Sequence, residues 1–234
     1  LVNSGDASGF QNGSGIESYF SQVNYNFANK YYLTGSIRTD GSSRFVDDKW
    51  GVFGSIGGAW VLSEESFMAD SAITYLKLKG SWGVTGDQQG VSTSLAFDTF
   101  SAGFVGGALA INQVRNGNRE LTWETTKQLQ AGLEMSVGSY LDLNLDYYRK
   151  LTDDLFFDRR LPPSSGLSSV RVNDGEILNA GFEFDATAHL VNKENFKLDL
   201  SVNGEILKNE MLLMPIDATT GVPKIIDSNS SADG

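Results

Sequence analysis

The chain has 234 residues, with 29 acidic and 18 basic side chains, 26 glycines and no cysteine. The formal net charge of −11 argues against nucleic acid as a partner, because a polyanion is bound by clustered Lys and Arg. The lack of cysteine excludes disulfides, thiol nucleophiles and cysteine–zinc sites.

The dominant pattern along the chain is an alternation of apolar and polar residues. Its clearest example is the run of odd-numbered apolar residues Leu141, Leu143, Leu145 and Tyr147, which alternate with Asp142, Asn144 and Asp146. Successive side chains of a strand point to opposite faces, so this pattern predicts strands with one apolar and one polar face. In chain order, eight strands are predicted, near residues 16–27, 30–40, 50–62, 73–85, 122–137, 140–150, 178–190 and 195–208.

The connections between these strands are alternately short and long. The short ones are 28–30, 138–139 and 192–194, together with 63–72, which is predicted to form a short helical turn. The long ones are 41–49, 86–121, 151–177 and 209–234, and all of them fall at the other end of an up-and-down antiparallel sheet. Long strands with this arrangement of turns are typical of outer-membrane barrels. The predicted fold class is therefore an all-β, antiparallel, up-and-down transmembrane β-barrel, with a soluble β-protein as the alternative.

Several motifs occur along the chain in a fixed order, at 31–45, 50–51, 58–60, 63–68, 76–86, 121–128, 143–150, 153–155, 161–163 and 179–183. Together they resemble the signature stretches of one family of barrels, the SusC/RagA-type TonB-dependent outer-membrane receptors. The resemblance implies a barrel of about 22 strands with a plug domain inside it. The chain is then expected to be an internal fragment, in which 1–15 is the remnant of an external loop and 16–208 holds about eight of the strands. The external loops would be 41–49, 86–121 and 151–177, with 209–234 a truncated one.

The resemblance also implies a function in nutrient uptake across the bacterial outer membrane. The full receptor would import an oligosaccharide or a peptide, together with a SusD-like surface lipoprotein, and would be driven by the TonB complex through parts outside this chain. Outer-membrane lipid would surround the barrel. Two alternatives stay open: an independent small outer-membrane barrel with a structural or adhesion role, and a soluble β-sandwich that binds carbohydrate.

The sequence offers little for catalysis, and the chain is not expected to be an enzyme or to hold a cofactor. The single histidine, His189, lies on the polar face of a predicted strand, and no Gly-x-Ser-x-Gly nucleophile motif is present. Acidic residues in the long loops could bind calcium, but none has a full ligand pattern and surface solvation is favoured. These residues are Asp47, Asp48, Asp153, Asp154, Asp158, Asp174 and Glu176.

Ligand contacts are expected in the long loops, because external loops vary and carry recognition. In loop 86–121, Phe97, Phe100 and Phe104 could stack on a sugar or a peptide, or pack within the loop, and Asn112 and Arg115 are polar candidates beside them. In loop 151–177, Arg159 and Arg160 could contact a ligand or pair with nearby acids. The polar faces of the strands are expected to contact the plug or water, through Gln22, Asn24, Asn26, Arg38, Lys79, Gln128, Asp142 and Asn144.

Overall fold

Twelve β-strands make up most of the part of the chain that the computed structural model describes, which is residues 13–216 and 221–222. The first six are β1 (Ile16–Phe27), β2 (Tyr31–Ser42), β3 (Trp50–Val61), β4 (Ile73–Asp87), β5 (Thr99–Val105) and β6 (Ala108–Arg115). The others are β7 (Glu124–Val137), β8 (Leu141–Asp153), β9 (Phe156–Arg160), β10 (Ser169–Asn173), β11 (Glu176–Lys193) and β12 (Phe196–Leu213).

Eight of these strands form one antiparallel sheet in the order β1-β2-β3-β4-β7-β8-β11-β12. These are the eight strands predicted from the alternation, so the all-β, up-and-down prediction is confirmed. Within the described residues β1 and β12 do not pair with each other, and the sheet is open, as expected for part of a larger barrel. No second large sheet covers it in this part of the chain, which argues against the β-sandwich alternative.

The strand register keeps apolar and polar side chains on separate faces. Leu78, Leu133, Leu145 and Phe184 are successive partners across β4, β7, β8 and β11. The neighbouring row, whose side chains point to the opposite side of the sheet, consists of Lys79, Gly132, Asp146, Glu183 and Glu205. We call the side of the sheet that carries the first row the apolar face and the side that carries the second row the polar face. Side chains on the apolar face are largely exposed to the surroundings, as in Leu200 and Ile206, so this face needs a nonaqueous environment.

Tight turns join the strands at one end, which we call the short-turn end. In the turn between β1 and β2, Ala28 and Asn29 both have positive φ angles, 54° and 56°, and the side chain of Asn26 accepts a hydrogen bond from the N–H of Asn29 at 3.2 Å. The connection predicted as a helical turn contains two 3-10 turns, Leu62–Glu64 and Ser66–Met68. Among the described residues, no helix has the length and apolar character needed to cross a membrane.

The long connections, at the opposite or loop end, contain more structure than the sequence predicted. The 86–121 connection holds the β5–β6 hairpin, and the 151–177 connection holds the β9–β10 hairpin. Several main strands also extend further toward the loop end than predicted: β8 continues to Asp153, β11 begins at Glu176 and β12 continues to Leu213. Antiparallel pairing with neighbouring strands satisfies the backbone groups of these extensions.

Candidate functional site

The loop end contains the main buried apolar core of the described residues. Phe45, Phe53, Val91, Leu121 and Trp123 are all buried in one cluster. The Trp123 ring lies 5.2 Å from the Phe45 ring and 5.5 Å from the Phe53 ring, centre to centre. Because Phe53 belongs to strand β3 and the others to two long connections, this core attaches the loops to the sheet.

Hydrogen bonds and close backbone contacts complete this attachment. The guanidinium of Arg44 donates hydrogen bonds to the backbone oxygens of Gln88 and Val91, each at 3.0 Å. A Cβ atom at Gly51 or Gly86 would overlap the Phe53 ring, so both positions require glycine for the ring to lie against the backbone. The loops therefore start from fixed points on the barrel wall.

The β9–β10 hairpin is fastened to the same core. The amide of Asn173 donates to the backbone oxygens of Thr122 at 3.0 Å and Asp154 at 2.8 Å, and its side-chain oxygen accepts from the N–H of Thr122. Arg171 lies 6.0 Å from the centre of the Phe156 ring and pairs with Asp158 at 3.1 Å. This hairpin is consequently a rigid part of the loop end.

The β5–β6 hairpin differs, because its side chains project away from the core. Phe100, Phe104, Leu109 and Ile111 share one face of the hairpin and are highly exposed; Phe104 and Ile111 are each 76% exposed. The two strands meet at Gly106 and Gly107, whose φ angles are +62° and +85°. At its base, the side chain of Asp98 accepts from the N–H of Gly117 at 2.8 Å. The hairpin therefore presents an apolar surface on a fixed base.

The structure brings most of the predicted ligand candidates together on this hairpin. Phe100 and Phe104 lie on its apolar side, and the exposed Phe97 precedes it. Asn112 lies opposite Ser101, and Arg115 donates to the hydroxyl of Thr99 at 2.7 Å. Their role in ligand binding stays a prediction.

The other two candidates lie on the separate β9–β10 hairpin. Arg159 is paired with Asp174 there, whereas Arg160 is exposed opposite Ser169.

The acidic loop residues are largely engaged in ion pairs. Asp47 pairs with Arg119 at 3.3 Å, and Asp153 pairs with Lys127 at 2.5 Å. Among the residues that the structure describes, no group of three or more His, Cys, Asp or Glu side chains is placed to hold a metal ion.

The polar face carries a connected set of charged side chains. The Lys79 ammonium lies 3.2 Å from Glu134 and 3.1 Å from Asp146, and Lys77 lies 3.3 Å from Glu134. Beside this set, a depression of about 390 Å³ is lined by Tyr25, Tyr32 and Leu33 together with polar and small residues, among them Asn24, Asn26, Thr34, Lys79, Ser81 and Gln130. Three of the residues predicted to contact a plug or water, Asn24, Asn26 and Lys79, therefore border one concave surface.

His189 lies on the polar face near the short-turn end. Its Nδ1 is 2.7 Å from Asp199 and its Nε2 is 3.0 Å from Asp142, so the ring links β8, β11 and β12. Both ring nitrogens face carboxylates, which is the arrangement of a cross-strand link.

Aromatic residues mark the apolar face at the short-turn end. Phe27, Tyr31 and Trp60 stack in a row, with ring centres 6.3 Å and 6.1 Å apart. The carboxylate of Glu65, in the connection after β3, accepts hydrogen bonds from the Tyr31 hydroxyl at 2.5 Å and the Trp60 indole at 3.2 Å. These two bonds hold the pKa of Glu65 below its ordinary value of 4.5.

Comparison with known proteins agrees with this geometry. The profile of the family described as "TonB dependent receptor-like, beta-barrel" matches residues 2–218. The chain belongs to this family. The resemblance inferred from the sequence motifs is confirmed, and the chain is a segment of an outer-membrane β-barrel.

Named relatives within this TonB-dependent receptor family cover nearly the whole chain. It is 36% identical over 218 residues to TonB-dependent receptor P3 of Formosa agariphila, covering 89% of this chain and 21% of that protein. It is 32% identical over 200 residues to TonB-dependent receptor SusC of Bacteroides thetaiotaomicron, covering 80% of this chain and 20% of that protein. The chain thus spans about a fifth of the length of the curated relatives that it matches.

Solved structures of a peptide importer share the fold. The RagAB peptide importer in its open-open state matches with a TM-score of 0.79 and 25% sequence identity, over 93% of this chain and 24% of that chain. The same importer in its closed-closed state matches with a TM-score of 0.75 and covers 86% of this chain and 22% of that chain. The apolar face of the eight-stranded sheet is accordingly the lipid-facing surface of the barrel segment.

Proposed function

We propose that this chain is part of a TonB-dependent importer that takes up peptides or oligosaccharides across the outer membrane. The loop end would face the outside and contribute to ligand recognition, and the eight-stranded sheet would form part of the barrel wall. A surface lipoprotein of the SusD type would cover the loop end. The energy for import would come from the TonB complex, through parts of the receptor outside this chain.

The ligand class in this proposal is supported by the names of similar proteins. The solved neighbours are described as a peptide importer or transporter, and the relatives include a protein named SusC. The family is one of receptors and transporters, and we extend this to a role without catalysis for the present chain. The carboxylate contacts on both nitrogens of His189 favour a structural role for the only histidine.

The observation that carries the proposal is the exposed β5–β6 hairpin on its fixed base. Aromatic side chains such as Phe100 and Phe104 can stack on sugar rings or on peptide side chains. The buried core around Trp123 holds the base in place, so the exposed residues are positioned before a ligand arrives. The guanidinium of Arg115 lies at the base of the hairpin, and the amide of Asn112 offers hydrogen bonds on the opposite face from these aromatic residues.

A deletion in the full-length receptor tests this role. Removing 99–116 and joining Asp98 to Gly117 through a short linker exploits the hydrogen bond that already brings these two residues together. Binding of a labelled random peptide pool and of a labelled oligosaccharide pool to intact cells would then be measured. Loss of binding at normal surface abundance supports the proposal. Normal binding of both pools removes the hairpin from the site.

A second arm of the same experiment addresses the energy source. Uptake of whichever pool binds is measured in cells with and without TonB, using the unaltered receptor. Uptake should stop without TonB while surface binding continues. Undiminished uptake would leave a passive pore and would contradict active import.

A further inference from the structure

On three strands, the apolar face carries a basic residue toward the loop end. Counted from the short-turn end, the first charged residue on that face is Lys127 on β7, Arg149 on β8 and Lys208 on β12. On β8, Arg149 follows four apolar residues of the same face, Leu141, Leu143, Leu145 and Tyr147. On these three strands, a band of basic side chains thus lies between the apolar side chains and the loop end.

The position of this band matches the edge of the bilayer. A tilted strand crosses the apolar part of a membrane in about 9–11 residues. The segments 127–137 and 141–149, which run from a tight turn to a cation, have this length. The cations therefore lie at the level of the lipid headgroups in the leaflet nearer the loop end.

Two of these cations flank a gap on the sheet. Arg149 pairs in register with Ala180, and Ala180 pairs with Lys208. Adjacent strands are about 4.8 Å apart, so the two cations are about 10 Å apart at the backbone with only a methyl group between them. Both side chains are long enough to reach a group placed above Ala180.

One of the two cations beside this gap, Arg149, is available for a ligand. Within the described part of the chain, Arg149 makes no side-chain hydrogen bond and no ion pair. Lys208 pairs with Glu210 at 2.6 Å, yet its side chain is 67% exposed. Lys127 is paired with Asp153. A planar guanidinium can bind two phosphate oxygens at once, which suits an exposed and unpaired arginine.

The row of residues on the membrane side of the gap is apolar. Tyr147, Phe182 and Ile206 are register partners there, and each is substantially exposed. They form a surface on which hydrocarbon chains can lie directly below a headgroup. Cations above an apolar surface complement a lipid that carries phosphate.

We infer that Arg149, Ala180 and Lys208 form a binding site for the phosphate headgroup of an anionic membrane lipid. The phosphate lies over Ala180 between the guanidinium and the ammonium, and the acyl chains lie over Tyr147, Phe182 and Ile206. This site rests on the chain's place in the outer membrane and not on the proposed import function. It concerns the lipid that surrounds the receptor rather than the imported ligand.

Native mass spectrometry of the full-length receptor tests the site. The receptor is released from mixed micelles of phosphatidylglycerol and phosphatidylcholine, and the lipid that it retains is identified. The unaltered receptor should retain phosphatidylglycerol preferentially. The variants Arg149→Gln and Lys208→Gln should each lower that retention about fivefold, the effect expected for one cation near an anionic lipid surface. Equal retention of both lipids by the unaltered receptor would overturn the inference.

Two further variants separate a lipid site from a general loss of charge or of folding. Lys150→Gln removes the neighbouring cation on β8, which lies on the polar face, and should leave retention unchanged. Ala180→Leu keeps both cations and fills the gap, and should lower retention, whereas Ala186→Leu deeper on β11 should not. An equal loss in Lys150→Gln or in Ala186→Leu would contradict the site. Displacement of the lipid by millimolar inorganic phosphate alone would show a free-anion site instead.

Discussion

The sheet and the loop end of this chain are stabilised in different ways. In the sheet, the apolar side chains of β1 and β12 point outward and pack on little of the chain itself. At the loop end, Phe45, Leu121 and Trp123 are buried as they would be in a water-soluble protein. The sheet depends on lipid for its apolar face and on register for its shape, whereas the loop end carries its own core.

This difference predicts that substitutions in the two regions have different consequences. Damage to the core should loosen the loops and leave the barrel wall intact, because none of the core side chains lies on the apolar face of the middle of the sheet. Damage to the apolar face should impair barrel assembly as a whole. The following substitutions in the full-length receptor test this separation, from the largest expected effect to the smallest.

Replacing Trp123 with alanine should have the largest effect, and it should be local. The ring contacts Phe45 and Phe53, and removal of a buried tryptophan costs about 3–5 kcal/mol. We expect the 88–123 connection to become sensitive to protease on intact cells, while the heat-modifiable gel mobility of the barrel is retained. Trp82→Ala, on the apolar face, is the matched control and should leave the loops resistant. Loss of the folded gel form in Trp123→Ala would show that the two regions are not separate.

Leu143→Lys should impair barrel assembly much more than Asn144→Lys. A lysine on the lipid-facing side near the middle of the bilayer costs about 2–4 kcal/mol, whereas the polar face tolerates charge. The two positions are adjacent on β8 and face opposite ways. The fraction of receptor with folded mobility on unheated gels is the measurement. Equal losses would mean that the faces are assigned in reverse.

Lys79→Ala should weaken the sheet by about 1 kcal/mol, since partly exposed ion pairs are modest contributors. Its ammonium separates Glu134 from Asp146, which would be left without this shared partner. We expect a small fall in the unfolding temperature in detergent that is partly reversed by high salt. Lys77→Ala, which removes one contact with Glu134, should have a smaller effect. A larger effect of Lys77→Ala would contradict the central role given to Lys79.

The smallest effect concerns Glu65 at the short-turn end, and it depends on pH. Hydrogen bonds from Tyr31 and Trp60 hold the pKa of its carboxyl below 4.5, so its contribution to stability is complete above that value and is lost as the pH falls through the lowered pKa. The protection of the amides of 62–70 from hydrogen exchange, relative to their intrinsic exchange rates at each pH, should therefore fall in acid. In Glu65→Gln this pH response should disappear, whereas Glu64→Gln should keep it. An unchanged response in Glu65→Gln would assign it to another group.

Period-two alternation was sufficient to predict the main sheet, because one face of each strand contacts lipid and the other does not. The eight strands, their order and the tight turns follow from that contrast, as in the pairing of Leu133 with Leu145. Several strand ends at the loop side, those of β8, β11 and β12 among them, extend further than predicted. Beyond the bilayer edge both faces meet water or loops, so residues such as Asp153 and Leu213 no longer follow the alternation.

The loop end was predicted less well, because its contacts join residues far apart in the sequence. Phe45 and Trp123 give no sign in the sequence that they pack together. The sequence does contain a signal for the β5–β6 hairpin: Phe100, Ala102 and Phe104 alternate with polar or small residues before Gly106-Gly107, a dipeptide that favours tight hairpins. The predicted pairing of Arg159 with a nearby acid is seen in the structure, and the acid is Asp174.

The separation of the β5–β6 hairpin from the buried core has a consequence for how such receptors can diversify. None of the hairpin's exposed aromatic residues belongs to the core formed by Phe45, Phe53, Val91, Leu121 and Trp123. Mutations at Phe100 or Phe104 are therefore expected to leave the core and the barrel wall unchanged. If the hairpin binds the ligand as proposed, a lineage can change its specificity there while the wall and the core that holds the loops are inherited unchanged.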